Sequence, residues 1–452
     1  MPDRFMKNVD RRNFLGTSGV LAASGAVIAD KSPDMGHLAR VKVPRATSGD
    51  TAIEPDWNEK LTIDVGVKKG PIVGNDDKAI QAGVDYVSRL GGGTVRLSEG
   101  VFHLRNAIHL NSNVRIVGSG PDTILFKTPM VKTKILVDSD WYDQEITLAD
   151  ATGFNVGDGI CLRCKNPNNG GSTVIKRTLV AKSGNRFKLD RALRENLWLM
   201  SDSYAATLFP LITGEYVHGL GIENLAIDGN RANNENLDGN HSGCIFLQDC
   251  RDVRIQKVIA RNNNGDGISW QICHDVSVEE CQSLNHAGLG LHPGSGSQRP
   301  LIKSNIIKDN DIGIFFCWGV KYGVAFENKV ESNRIGISVG HRDTDNLILQ
   351  NHVKMSGKSG ILFRAERGKA FAGHNNTVEK NLVENTGGPD AVAIDVEGET
   401  EGLRFIGNQL VEKRESAKRV GFRFGPKTGQ MTLTANTIEG FQTPVLDQRK
   451  KD

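Results

Sequence analysis

Two histidines, two arginines and two carboxylates are spaced so that a repeating chain would bring them to one surface: His292, His341, Arg342, Arg364, Glu366 and Asp395. These residue types can remove a proton from a carbon that carries a carboxylate. A neutral imidazole, with an ordinary pKa of ~6.5, takes the proton. Arginines neutralise the carboxylate and stabilise the charge that develops. The natural target is a uronate polymer, broken by β-elimination as the C5 proton leaves and the C4 oxygen departs. Returned from the opposite face, the same proton would epimerise the sugar. The carboxylates Asp343, Glu366, Asp395 and Glu397 also allow an inverting hydrolase, whose two carboxyl groups stand ~6.5–9.5 Å apart around a water. Trp318 could stack on a sugar face, and Asp343, Glu397 and Arg299 complete the candidate substrate-binding set. A bound Ca²⁺ could do the neutralising in place of an arginine, although the sequence names no metal ligands. A noncatalytic carbohydrate-binding or surface protein is the competing class.

A repeat is what makes those positions neighbours. Apolar segments begin at Gly243, Gly267, Gly290, Gly313, Gly336 and Gly360, with starts 24, 23, 23, 23 and 24 residues apart, the spacing of a solenoid. Each unit carries a second apolar run ending in asparagine, as at Asn305, Asn328, Asn351, Asn381, Asn408 and Asn436. Short alternating runs mean strands, and the long stretches of helix formers that helical repeats need are missing. Units of this length are coils of a parallel β-helix, stacked at ~4.8 Å. Asparagines at equivalent corners would then hydrogen-bond along the axis.

Side chains alternate along a strand. Counting from each glycine, positions one and three are apolar and face inward: Ile268 and Trp270, Ile314 and Phe316, Ile337 and Val339, Ile361 and Phe363. Positions two, four and six face outward. They carry His292, Arg342, Arg364 with Glu366 and, aligned at Ala391, Asp395 with Glu397. The turn after the strand adds Trp318, His341 and Asp343. The result is a groove about five coils long, ~20 Å, which suits several sugar rings. His274 and His286 fall in other turns and read as structural, and Asp228 and Asp266, each beside a glycine, read as caps.

The remainder of the chain bounds this picture. Fifty-one glycines among 452 residues fit a fold with frequent corners. A net charge of +3 is too small to imply a nucleic acid or an anionic membrane as partner. Seven cysteines include one lone C-x-x-C, Cys161 and Cys164, which does not make a zinc site. Asn75 or Asp76 caps a helix running to Leu90 that would cover the open end of the coils. The repeat lapses over about 132–203, where Ile146-Thr147-Leu148 and Gly157 to Leu162 suggest an inserted antiparallel β subdomain. The expected divisions are a signal over 1–29, a linker over 30–60, the β-helix over 61–440 and a loose tail over 441–452.

Asp10-Arg11-Arg12-Asn13-Phe14-Leu15-Gly16, followed by a mildly apolar run to Ile28, resembles a bacterial twin-arginine export signal. That resemblance implies the twin-arginine translocase as a partner, export to the periplasm or beyond, and no membrane attachment after processing. Asp77-Lys78-Ala79-Ile80-Gln81, Gly91-Gly92-Gly93-Thr94-Val95-Arg96-Leu97 and Gly100-Val101-Phe102-His103-Leu104 are similar to the cap and first coil of pectate-lyase-like right-handed β-helix proteins. The resemblance runs from about Asp64 to Gly440. It implies an all-β, right-handed solenoid and, for most members, a polysaccharide substrate. Gly340-His341-Arg342 and Arg364-Ala365-Glu366 match the polygalacturonase motifs in part. The coils contain no adjacent Asp-Asp pair, and the Asp-Pro-His-Glu turn of mannuronan epimerases is absent.

Overall fold

The computed structural model describes residues 59–165, 170–388, 390–414 and 419–449, with isolated positions between 45 and 57. The expected export signal lies outside the described residues, as does most of the expected linker. From Glu59 onward the chain forms one compact unit. Among the described residues, no helix is long and apolar enough to cross a membrane.

The coils build three long parallel sheets of 13, 11 and 11 strands. One turn of the solenoid shows the path. Ile268–Gln271 lies in the second sheet, His274–Glu279 in the first and Gln282–Leu284 in the third, before Leu289–Gly294 returns to the second. Inward side chains of all three sheets fill one continuous core, in which Ile268, Trp270, Ile314, Phe316, Ile337, Val339, Ile361 and Phe363 are fully buried. The inward positions expected from the repeat are therefore the core.

Corners are held by stacked polar side chains. Asn351 illustrates the rule: its Oδ1 accepts from the backbone N–H and Nδ2 of Asn328, and its Nδ2 donates to Asn381 Oδ1 at 2.9 Å. The ladder continues through Asn408 to Asn436. A second ladder passes through His286, Asn310 and Asn333: His286 Nδ1 accepts the Asn263 backbone N–H, and the His286 backbone N–H donates to Asn310 Oδ1. A third joins Asn346 to Asn376.

The helix Asp77–Arg89 begins at Asp76, whose carboxylate accepts the Ala79 N–H at 3.0 Å. It turns Ile80, Val84 and Val87 onto the open end of the first coils, adding them to the main core. Between Thr123–Lys127 and Ile212–Glu215 the chain leaves the solenoid and forms a six-stranded antiparallel sheet with its own core, including Leu162, Leu179 and Phe187. At the other end, the expected loose tail is instead a strand. Thr443–Asp447 pairs in parallel with Val420–Phe424, with Val445 in register with Phe422.

Candidate functional site

The outer face of the second sheet carries one stacked column. Strand pairing places His109 beside Thr213, Thr213 beside Phe246, Phe246 beside Ser269 and Ser269 beside His292. Further along, Phe315 pairs with Ser338, Ser338 with Leu362, Leu362 with Asp395 and Asp395 with Arg423. His292 and Asp395 thus stand on one wall, but their surroundings differ from those of an open groove.

The central cluster gathers where the strand Ile335–Val339 runs into its turn. The His341 ring stacks on Trp318, with centroids 4.6 Å apart and planes at 20°, and Phe371 covers it from another side at 5.1 Å. The Glu366 carboxylate accepts the His341 backbone N–H at 2.9 Å and faces its Nδ1 at 3.4 Å. With Nδ1–H turned to Glu366, Nε2 holds a lone pair, as a general base requires. Trp318 remains 58% exposed. The guanidinium of Arg367 lies 4.5 Å from the centre of the Phe371 ring and that of Arg342 lies 4.4 Å from it. These cation–aromatic stacks hold both arginines at the rim of the cluster.

Arg364 is committed to the protein. Its Nη1 donates to Ser338 Oγ at 2.9 Å, its Nη2 to the Phe316 carbonyl at 3.0 Å, and its guanidinium lies 4.3 Å from the centre of the Phe315 ring. It also faces Glu366 and Asp343. It therefore positions Glu366 and is not free to meet a substrate carboxylate. Asp343, expected to touch substrate, is fully buried and accepts the N–H groups of Gly319, Val320 and Gly340. Burial pushes its carboxyl above the usual range, opposed by the Arg364 charge and those N–H groups. It is a turn-holding group.

Three further expectations are corrected in the same way. Asp395 is fully buried and clasped by Arg423, whose Nε donates to Oδ1 at 2.8 Å. Arg423 also reaches Glu397 at 3.1 Å. Both carboxylates are thus engaged by the same arginine. Arg299 lies off this face, in an exposed two-pronged pair with Asp275 at the edge of the first sheet. His292 keeps its place on the wall but is only 2% exposed. Its Nδ1 lies 2.8 Å from Asp266 Oδ2, its ring tilts against Phe315, and its Nε2 has no partner. The loop 229–243 covers it: the Gly239 carbonyl accepts from Ser269 Oγ at 2.6 Å, and a Cβ on Gly239 would collide with both Asp266 and His292.

Several participants escaped sequence reasoning. Asp266, expected from its glycine neighbour to be a cap, accepts the Leu289 N–H on one oxygen at 2.9 Å, while the other orients His292. Phe371, Arg423 and Gly239 lie on inter-strand excursions or in the last coils, where the repeat register gives no alignment. The spacing of Arg423 from Asp395, 28 residues, was the one available signal.

A family model described as right handed beta helix region matches residues 243–410. One described as periplasmic copper-binding protein (NosD) matches residues 134–323. Among solved structures, the A-module of the Azotobacter vinelandii mannuronan C-5 epimerase AlgE4 is similar at 14% identity and a TM-score of 0.56, covering 86% of this chain and 100% of that one. The A-module of AlgE6 from the same organism gives 14% identity and a TM-score of 0.47, covering 84% and 100%. A glycoside hydrolase gives 9% identity and 0.47, covering 86% and 96%. No curated protein matches the sequence. The chain folds as an all-β, right-handed parallel β-helix. Copper centres gather nitrogen and sulfur ligands around one point. Among the described residues no three His, Cys, Asp or Glu side chains converge in that way, so they do not fit such a centre.

Proposed function

We propose that the protein is an exported enzyme that acts on an acidic polysaccharide laid along the outer face of the second sheet, and that it cleaves the polymer by β-elimination. The observation that carries this reading is His341, stacked on exposed Trp318 with its Nδ1 against Glu366. Trp318 supports a sugar ring, and His341 Nε2 takes the C5 proton. As the C4–O bond breaks, the electron pair forms the C4–C5 double bond, and the departing oxygen takes a proton from solvent at the open side. Arg342 and Arg367 neutralise the uronate carboxylate, and Arg364 fixes Glu366 from behind. Three arginines around two carboxylates leave the cluster electropositive, which favours a polyanion. Export rests on the Arg11-Arg12 signal pattern.

Hydrolysis is less well supported, because Asp395, Glu397 and Asp343 are each occupied by an arginine or by backbone N–H groups. Epimerisation needs the same proton abstraction and is separated by its product. The test is a panel of polyuronates assayed for the ultraviolet absorbance of an unsaturated uronate, for reducing ends, and for solvent deuterium at C5. A lyase gives the first two together, a hydrolase only the second, an epimerase only the third. His341→Ala should lower kcat by ~10²–10⁴ while binding persists, and Trp318→Ala should weaken binding. Unchanged turnover in His341→Ala would dispose of the mechanism.

A further inference from the structure

A cavity of about 350 Å³ lies where the inserted antiparallel sheet meets the first coils of the solenoid, far from His341. Its floor is the same outward column of the second sheet, at His109 and Thr213. Thr213, one of the lining residues, is 4% exposed, and its hydroxyl is buried with no hydrogen-bond partner. A buried hydroxyl left unpaired is costly, and a ligand oxygen would satisfy it once the Thr213 side chain turns toward the cavity.

The wall supplied by the inserted sheet is cationic. Lys176 Nζ lies 4.1 Å from the centre of the Phe246 ring and 3.8 Å from Glu215, too far for a hydrogen bond. Burial lowers its ammonium from the ordinary lysine value. Arg177 beside it donates to the carbonyls of Ala192, Leu193 and Lys176, none of which cancels its charge. Arg191, at the rim, is 3.9 Å from Asp190. Lys176, Arg177 and Arg191 therefore exceed Asp190 and Glu215 in charge. Tyr216, 76% exposed, stands at the mouth at the end of Ile212–Glu215, much as Trp318 follows its own strand. Apolar lining from Leu110 and Phe209 would meet the carbon face of a sugar ring.

We infer that this cavity is a second binding site on the same face, one that takes an acidic sugar residue with its carboxylate toward Lys176 and Arg191, a ring oxygen or hydroxyl on Thr213, and its ring against Tyr216. Five strand steps separate Thr213 from Ser338, ~24 Å, so one polymer that passes over the loop 229–243 covering Ser269 and His292 can reach both this cavity and His341. The inference rests on the proposed acidic-glycan substrate. The inserted sheet then acts as a clamp that sets where the polymer lies relative to the base.

Isothermal titration calorimetry on the full chain tests it, with uronate oligosaccharides and an uncharged hexose oligosaccharide as probes. Lys176→Met and Arg191→Gln should each weaken uronate binding tenfold or more and leave the weak neutral binding as it is. Thr213→Val should weaken binding several-fold. Thermal melts establish that each variant is folded, and Arg191→Gln, altered at an exposed rim, serves if Lys176→Met is not. If the parent binds uronates and both charge variants bind equally well, the second site is refuted while the proposed substrate survives. If the parent binds no uronate, the substrate class falls and this inference falls with it.

Discussion

Replacing Asn351 with alanine tests the register on which the whole site depends. Asn351 is 1% exposed. Its Oδ1 accepts from the Asn328 backbone N–H at 3.0 Å and from Asn328 Nδ2 at 2.8 Å, and its Nδ2 donates to the Ala325 carbonyl and to Asn381 Oδ1, each at 2.9 Å. Asn381 Oδ1 keeps the Asn351 backbone N–H after the substitution, and Asn328 Nδ2 keeps the Ile302 carbonyl. The losses that nothing repairs are the Asn328 backbone N–H and one of its amide hydrogens. Each buried, stranded donor costs about 1–3 kcal/mol, so the expected destabilisation is about 2–6 kcal/mol. Asn436 ends the ladder and is only half-buried, so water can replace its contacts with Asn408. Asn436→Ala should cost about 1 kcal/mol. Urea unfolding followed by circular dichroism gives the two values, and hydrogen exchange localises them, since a repeat solenoid can open coil by coil. Equal costs for the two variants, or a cost below about 1 kcal/mol for Asn351→Ala, would show that the ladder does not hold the coils in register.

Two further outcomes follow from buried charge. Lys127 is 2% exposed, donates to the Thr128 carbonyl at 2.9 Å and lies 4.4 Å from the centre of the Phe209 ring. Burial first, and the Arg105 charge second, lower its amine from 10.5 to about 7. Below pH 7 both folded and unfolded chains carry the proton, and the fold bears the full cost of burying it. As pH rises from about 7 toward 10.5 the unfolded chain holds more protons, so folding stability should rise by up to roughly 4 kcal/mol relative to Lys127→Met. Parallel denaturation curves across that range check the sign, and a gap that does not change with pH refutes it. Arg423→Ala leaves the buried Asp395 carboxylate without its clasp and should destabilise by about 3 kcal/mol, whereas Arg423→Met with Asp395→Asn should recover much of that. Both are read by urea unfolding, and equal losses in the two variants would count against the clasp.

The solenoid was legible because a repeat states its own geometry. Gly at the start of each strand, inward Ile and Phe at positions one and three, and Asn at the corner leave one way to stack the regular coils, and the pairing of Ser269 with His292 follows from that register alone. Past the longer interval the alignment at Ala391 sets Asp395 opposite Arg364, whereas the strands pair it with Leu362, two positions earlier. The helix Asp77–Arg89 was legible from its Asp76 cap and its apolar face.

What lies over that wall was not legible, because it is set by segments outside the repeat. Gly239 closes over His292 from a loop whose length obeys no period, Phe371 reaches His341 from another, and Arg423 neutralises Asp395 from a coil reached by an irregular interval. An outward direction says only that a side chain leaves the core; solvent or a partner awaits it according to contacts remote in sequence. The sequence by itself determined the stack of coils and the column of outward positions. Only the tertiary structure decided that His341, itself just 6% exposed, lies against the exposed Trp318 while His292 and Asp395 are covered without such a neighbour, since burial and ion pairing depend on which distant segments come within a few ångströms.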